Sequence, residues 1–154
     1  DDRIDHMKGG NTSMNFQMMR YAEVLLNYAE AINEASNSAQ NRQLAVAQLN
    51  AIRARAGITG TLDATNFTQE QLRERIRKER RVELCFEEHR FFDIRRWDIA
   101  KDVLNKPAVG IAKEDGKYVR IKVEDRIFNE RMNFMPIPLS DVNNCPLIYQ
   151  NEGY

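Results

Sequence analysis

Apolar residues recur at helical spacing between Met14 and Ala35, where Met18, Tyr21, Ala22, Leu25, Tyr28, Ala29 and Ile32 form one stripe. Arg20, Glu23, Asn27 and Glu34 fall on the opposite face, so the pattern predicts an amphipathic helix, with Asn11, Thr12 and Ser13 offering an N-cap. A second stripe of Ala45, Leu49, Ile52 and Ala56 predicts a helix over 42–56, stopped by Gly57. The linker "SNSAQN" is short enough to fold the two back on each other as an antiparallel hairpin. Alanines at Ala29, Ala45 and Ala56 would let them approach closely, as in a tetratricopeptide-like unit, whose full signature is absent.

"TQEQ", Thr68 to Gln71, reads as a capping box that opens a third helix, which the pattern carries to about Arg90. "FFDIRRWDIAKDVL" predicts a fourth, kinked or separated from it. Beyond Pro107 the periodicity changes, and Asp115-Gly116 between short alternating segments predicts a β-hairpin. Pro136, Pro138 and Pro146 argue against regular helix in the last stretch, expected as an extended tail laid over the helices and anchored by Phe134, Ile137, Leu147 and Tyr149. The expected fold class is mainly α: tetratricopeptide-like antiparallel helix pairs, a short β-hairpin and an extended proline-containing C-terminal tail. The helix pairs take 14–56 and 68–105, the hairpin region 107–132 and the tail 133–154.

The length of 154 residues suits one domain. The 23 basic and 23 acidic residues cancel, so no overall field draws the chain to nucleic acid or anionic lipid. No apolar run approaches the ~20 residues of a membrane-spanning helix. The opening "DDRIDHMKGG" lacks an initiator methionine, as expected of a processed product or a piece of something longer. Cys85 and Cys145 stand far apart without metal-ligand spacing, so no zinc site is expected, and Cys85 reads as a small helix residue.

The densest charge lies in "IRKERRVELCFEEHRFFDIRRW", Ile76 to Trp97. On a helical wheel Leu72, Ile76, Glu79, Glu83, Phe86 and Arg90 share one stripe, extended by Ile94 and Trp97, while Arg77, Lys78, Arg81 and Glu88 form a solvated face. Burying a lone carboxylate costs on the order of several kcal/mol, so Glu79 and Glu83 need partners. Arg90, Arg80, Arg53 and Arg55 are the candidates, in a semi-buried network locking helices together, for which the planar guanidinium is well shaped.

Sharper chemistries fit less well. A di-metal carboxylate bundle needs Glu-x-x-His pairs, and "FEEHR" puts His89 at the wrong spacing from Glu87 and Glu88. Glu83 and Glu87 lie one turn apart but lack a neighbouring nucleophile, glycine-rich loop or second histidine for acid and base work. Arg73, Arg75, Arg77, Lys78, Arg80 and Arg81 are spread around the helix and interrupted by Glu74 and Glu79, unlike a phosphate-binding stripe. Tyr21, Tyr28, Phe91 and Phe92 read as packing residues. No metal, cofactor or catalytic residue is expected; a generic helical-repeat protein–protein interaction module is the alternative reading.

Taken in order, "RYAEVLLNYAEAINEA", "LNAIRARAG", "IRKERRVELCFEEHRFFDIRRW" and "FMPIPLSDVNNCPLIYQNEGY" closely resemble the carboxy-terminal part of the SusD/RagB family of outer-membrane lipoproteins. Glu88 stands where that family usually has glycine, and Glu152 where it usually has proline. The resemblance implies tetratricopeptide-like helix pairs and a parent protein lipid-anchored on the cell-surface face of the outer membrane in Bacteroidetes. It also implies a SusC-like TonB-dependent transporter as partner and non-catalytic capture of oligosaccharide or polysaccharide, or for some members peptides, for nutrient uptake. No nucleic acid is implied, and membrane attachment would run through an anchor that this chain lacks. No ligand-binding residue carries over. What carries over to Arg20, Glu23, Arg53, Glu79, Arg80, Glu83, Arg90, Asp93, Arg96 and Trp97 is a scaffolding role.

Overall fold

The computed structural model describes residues 18–154. It is mainly helical, with one two-stranded antiparallel sheet. Contacts separate two compact units, the first ending at Cys85 and the second running from Phe86 to Tyr154.

In the first unit, helix α1 (Tyr21–Ala35) and helix α2 (Ala39–Arg55) form a hairpin, and helix α3 (Gln69–Glu83) packs on α1. Each boundary has a local cause. Ser38 caps α2, its Oγ accepting from the Asn41 amide at 3.1 Å. Gly57, at φ +73°, ends α2. Its amide donates to Ala54 O and the Ile58 amide to Arg53 O, both at 3.0 Å, which is the Schellman pairing that a left-handed residue permits. Thr68 and Gln71 form the expected capping box. The connection between α2 and α3 is pinned by Asn50, whose Nδ2 donates to Leu62 O at 2.9 Å while its Oδ1 accepts from the Leu62 amide at 2.8 Å.

Leu26, Ala29, Ala45, Val46, Leu49, Ile52, Leu72, Ile76 and Leu84 fill the core. Ala29 and Ala45 are fully buried, whereas Ala56 is exposed beyond the end of α2. The α1 stripe is rotated from the expected one. Ala22, Leu26, Ala29 and Asn33 face inward, Tyr21, Tyr28 and Met18 are exposed, and Leu25 and Ile32 are half-buried. Polar partners account for the rotation: Arg20, Asn27 and Glu34, expected on a solvated face, all bond to α3. The helix starts at Tyr21 with Arg20 as its N-cap residue; the expected cap at Asn11 to Ser13, and residues 14–17, lie outside the described residues.

Helix α3 does not reach Arg90. It stops at Glu83, and Phe86 and Glu88 adopt φ of +65° and +63° before the next helix opens at His89. Phe86, expected inward, is fully exposed, and Leu84 takes the buried position. Cys85 is an exposed turn residue and not a helical one. Arg77, expected in solvent, is half-buried and bonds to Glu74 at 3.1 Å.

In the second unit, helix α4 (His89–Arg96) and helix α5 (Ala100–Leu104) are separated at Asp98, which has φ +54°. Strands β1 (Ala108–Glu114) and β2 (Lys117–Glu124) follow, joined by Asp115 and Gly116. Both turn residues have positive φ, the two-residue geometry that matches strand twist. Ile94, Ala100 and Phe128 form a small core with Ile99, Leu104 and Met132 against it. Asn105 holds Phe128, accepting from its amide at 2.7 Å and donating to its carbonyl at 3.1 Å.

The tail differs from expectation. A short helix, α6 (Leu139–Asn144), sits between Pro138 and Cys145, because proline is tolerated at a helix start. Phe134, Leu147 and Tyr149 are exposed, and Ile137 is half-buried. Gln150 holds Ile137 from both sides at 2.8 Å, accepting from its amide and donating to its carbonyl.

Candidate functional site

The spacing of Glu79 and Glu83 puts both carboxylates one turn apart on α3, toward the last turn of α2. Glu79 Oε1 accepts from Arg53 Nη1 at 3.0 Å and from Arg75 Nη2 at 2.5 Å. Glu83 Oε1 accepts from Arg55 Nη2 at 2.5 Å and from Arg20 Nη1, and Arg20 Nη2 also donates to the Glu83 carbonyl. One carboxylate thus ties α2 to α3, and the other ties both to the entry of α1. Arg53 and Arg55 end α2, where the helix dipole also favours cations. Arg80, buried among these helices, donates from Nη1 to Asn27 Oδ1 at 2.7 Å.

At the other end of α3, Arg73 grips Glu34 through two parallel bonds of 2.7 Å. The Arg73 hydrogen bond holds the Glu34 carboxyl below its usual range, and Glu34 in turn raises Arg73. Nearby, Asn33 is fully buried: its Nδ2 donates to Gln69 O at 3.1 Å, and Gln69 Nε2 donates back to Asn33 O at 2.5 Å. Asn33 and Arg73 carried no periodic signal that marked them as interface residues.

In the second unit, Asp93 is buried on α4 and accepts from Arg96 Nε at 3.0 Å, while the Arg96 guanidinium lies 4.7 Å from the Trp97 ring centre. Arg90 is half-buried on the same helix. Arg95 was not anticipated from the sequence. Its guanidinium stacks 3.6 Å from the Phe91 ring centre and donates to Met132 O, joining α4 to the turn at Glu130–Asn133. Phe91 and Phe92 meet edge to face but are exposed, unlike the packing role expected of them. Glu87 lies beyond the end of α3, so it does not share a helix with Glu83.

A cleft of about 650 Å³ in this unit is lined by Asp98, Lys101, Asp102, Glu130, Arg131, Asn133, Phe134, Glu152 and Gly153. Lys101 bonds Glu130 at 2.7 Å, which lowers the Glu130 carboxyl and raises the Lys101 amine from their usual values. Among the described residues no group of three or more histidine, cysteine, aspartate or glutamate side chains is placed to hold a metal. No helix of the described residues is long and apolar enough to cross a membrane.

The architecture is that of a helical-hairpin protein whose arginine–carboxylate pairs lie between helices. The chain belongs to the SusD family (SusD/RagB), whose model matches residues 4–154. It is 32% identical over 152 residues to SusD-like protein P2 of Formosa agariphila, covering 95% of this chain and 27% of the relative. It is 30% identical to SusD-like protein P25 of the same organism, covering 98% and 27%. The crystal structure of a SusD-like protein from Bacteroides fragilis superposes with a TM-score of 0.77 at 35% identity, over 89% of this chain and 25% of that one. The chain therefore spans about a quarter of the length of the relatives it matches.

Proposed function

We propose that the full-length protein captures oligosaccharides at the outer face of the outer membrane and passes them to a SusC-like TonB-dependent transporter. Capture is by binding, without cleavage, and a lipid anchor holds the protein at the surface. This chain is mainly the helical scaffold, from the carboxy-terminal part of the protein. In that role Arg53, Glu79, Arg80, Glu83, Arg90, Asp93, Arg96 and Trp97 order helices and do not contact ligand. The observation that carries the reading is the match to the SusD family over residues 4–154. The arrangement of the first unit supports the scaffold role, since Glu79 and Glu83 each bond to two arginines from different parts of the unit.

Calorimetry of the full-length protein against soluble polysaccharides and peptides, with chromatography of the recovered sugars, tests this. Saturable binding of a glycan recovered intact is expected. Shortened products, or binding to peptides and to no glycan, would overturn it.

A further inference from the structure

The outward face of the β-hairpin contributes no residue to either apolar core. In the antiparallel register Val109 lies opposite Lys122, Ile111 opposite Arg120, and Lys113 opposite Tyr118. Directly opposed residues share a face, so three cations, a phenol and two aliphatic side chains gather there. The face is open: Ile111 is 74% and Tyr118 79% exposed, while Gly110, Ala112 and Val119 on the reverse are half-buried. Val109, Ile111, Arg120 and Lys122 line a shallow groove of about 500 Å³. Lys122 bonds Asp125 at 2.8 Å, and Lys113 and Arg120 have no acidic partner among the described residues.

Lys122 is matched by Asp125, while Lys113 and Arg120, one on each strand, leave the face with a net positive charge that attracts an anion. The aliphatic side chains and the tyrosine ring add an apolar surface beside the charge.

We propose that this face docks an anionic polysaccharide chain bearing carboxylate or sulfate groups. Arg120 takes such a group through two parallel N–H donors, and Lys113 and Lys122 meet its neighbours along the chain. Tyr118, Val109 and Ile111 lie against the apolar C–H faces of the sugar rings. The inference rests on the glycan-capture reading and names the charge of the glycan.

The test is calorimetry of the full-length protein with polygalacturonate, chondroitin sulfate, neutral pullulan and phosphatidylglycerol vesicles. Binding to an anionic polysaccharide is expected, at least tenfold weaker in the Lys113→Gln/Arg120→Gln/Lys122→Gln protein with unchanged circular dichroism. In the unaltered protein, binding weakens as sodium chloride rises from low to high concentration, which gives a reading independent of the variant's folding. Undiminished affinity in a folded variant, or salt-independent binding, overturns the proposal. Binding to pullulan alone overturns it and leaves glycan capture standing, whereas binding to vesicles and no polysaccharide overturns both.

Discussion

The two units solve the same problem with different bonds. In the first, α1, α2 and α3 surround a continuous apolar core from Leu26 to Leu84, and ionised side chains are drawn into its margins. In the second, apolar burial centres on Ile94, Ala100 and Phe128, and beside the Asp93–Arg96 and Lys101–Glu130 pairs neutral carboxamides hold the irregular stretches in place. Asn105 clasps the backbone of Phe128, and Gln150 that of Ile137. A carboxamide satisfies one donor and one acceptor without the desolvation cost of a charge, which suits irregular chain with little core around it. Ion pairs demand accurate placement of both partners, and regular helices supply that. The first unit follows the same division within itself, since Asn50 clasps Leu62 in its one long connection.

The largest expected effect comes from breaking the ionic side of this contrast. Glu83→Ala leaves Arg20 and Arg55 without their shared carboxylate and should cost about 2 kcal/mol. Glu88→Ala, exposed and beyond α3, should change stability far less. Equal melting temperatures for the two variants would refute the interlock. Next comes the neutral side: Gln150→Ala should cost about 1 kcal/mol and speed hydrogen exchange at the Ile137 amide. Unchanged exchange there would show that the clasp contributes nothing.

A smaller effect of opposite sign is expected at Glu88. Its φ of +63° strains any residue with a Cβ, so Glu88→Gly should gain about 0.5 kcal/mol, relief of strain exceeding the extra chain entropy of glycine. A loss measured by denaturant unfolding would mean that the side chain matters more than the backbone. The smallest effect, a few tenths of a kcal/mol, belongs to Glu34 and Arg73, both partly exposed. Because folding lowers the Glu34 pKa, its contribution is present at neutral pH and lost as pH falls through the folded value. Glu34→Gln should flatten that part of the stability profile, as read from melts between pH 3 and 7 in ~1-unit steps.

Features encoded by adjacent residues are legible in the sequence alone. Gly57, the Thr68 and Gln71 box and the Asp115-Gly116 turn each act within a few positions, so their local signals suffice. The choice between Leu25 and Leu26 as the buried leucine is not legible there, because it depends on how α1 is rotated by partners on α3. The end of α3 is also hidden: left-handed turns at Phe86 and Glu88 lack the glycine that normally announces them. In the charged stretch, a carboxylate on an apolar face implies an arginine but does not say which. Glu79 bonds to Arg53 and Arg75, and Arg75 carries no stripe signal. The cationic hairpin face emerges only once register puts alternate residues of two strands side by side.

Glu79 on α3 bonds to Arg53 on α2, and we propose that this pair orders the two helices. A double-mutant cycle on Arg53→Ala and Glu79→Ala in the full-length protein, followed by hydrogen exchange of the α2 and α3 amides, addresses it most directly. A favourable coupling of about 1 kcal/mol or more, with both single variants loosening α2 and α3 together, is the result expected. Strictly additive losses, with either helix unaffected, would contradict it.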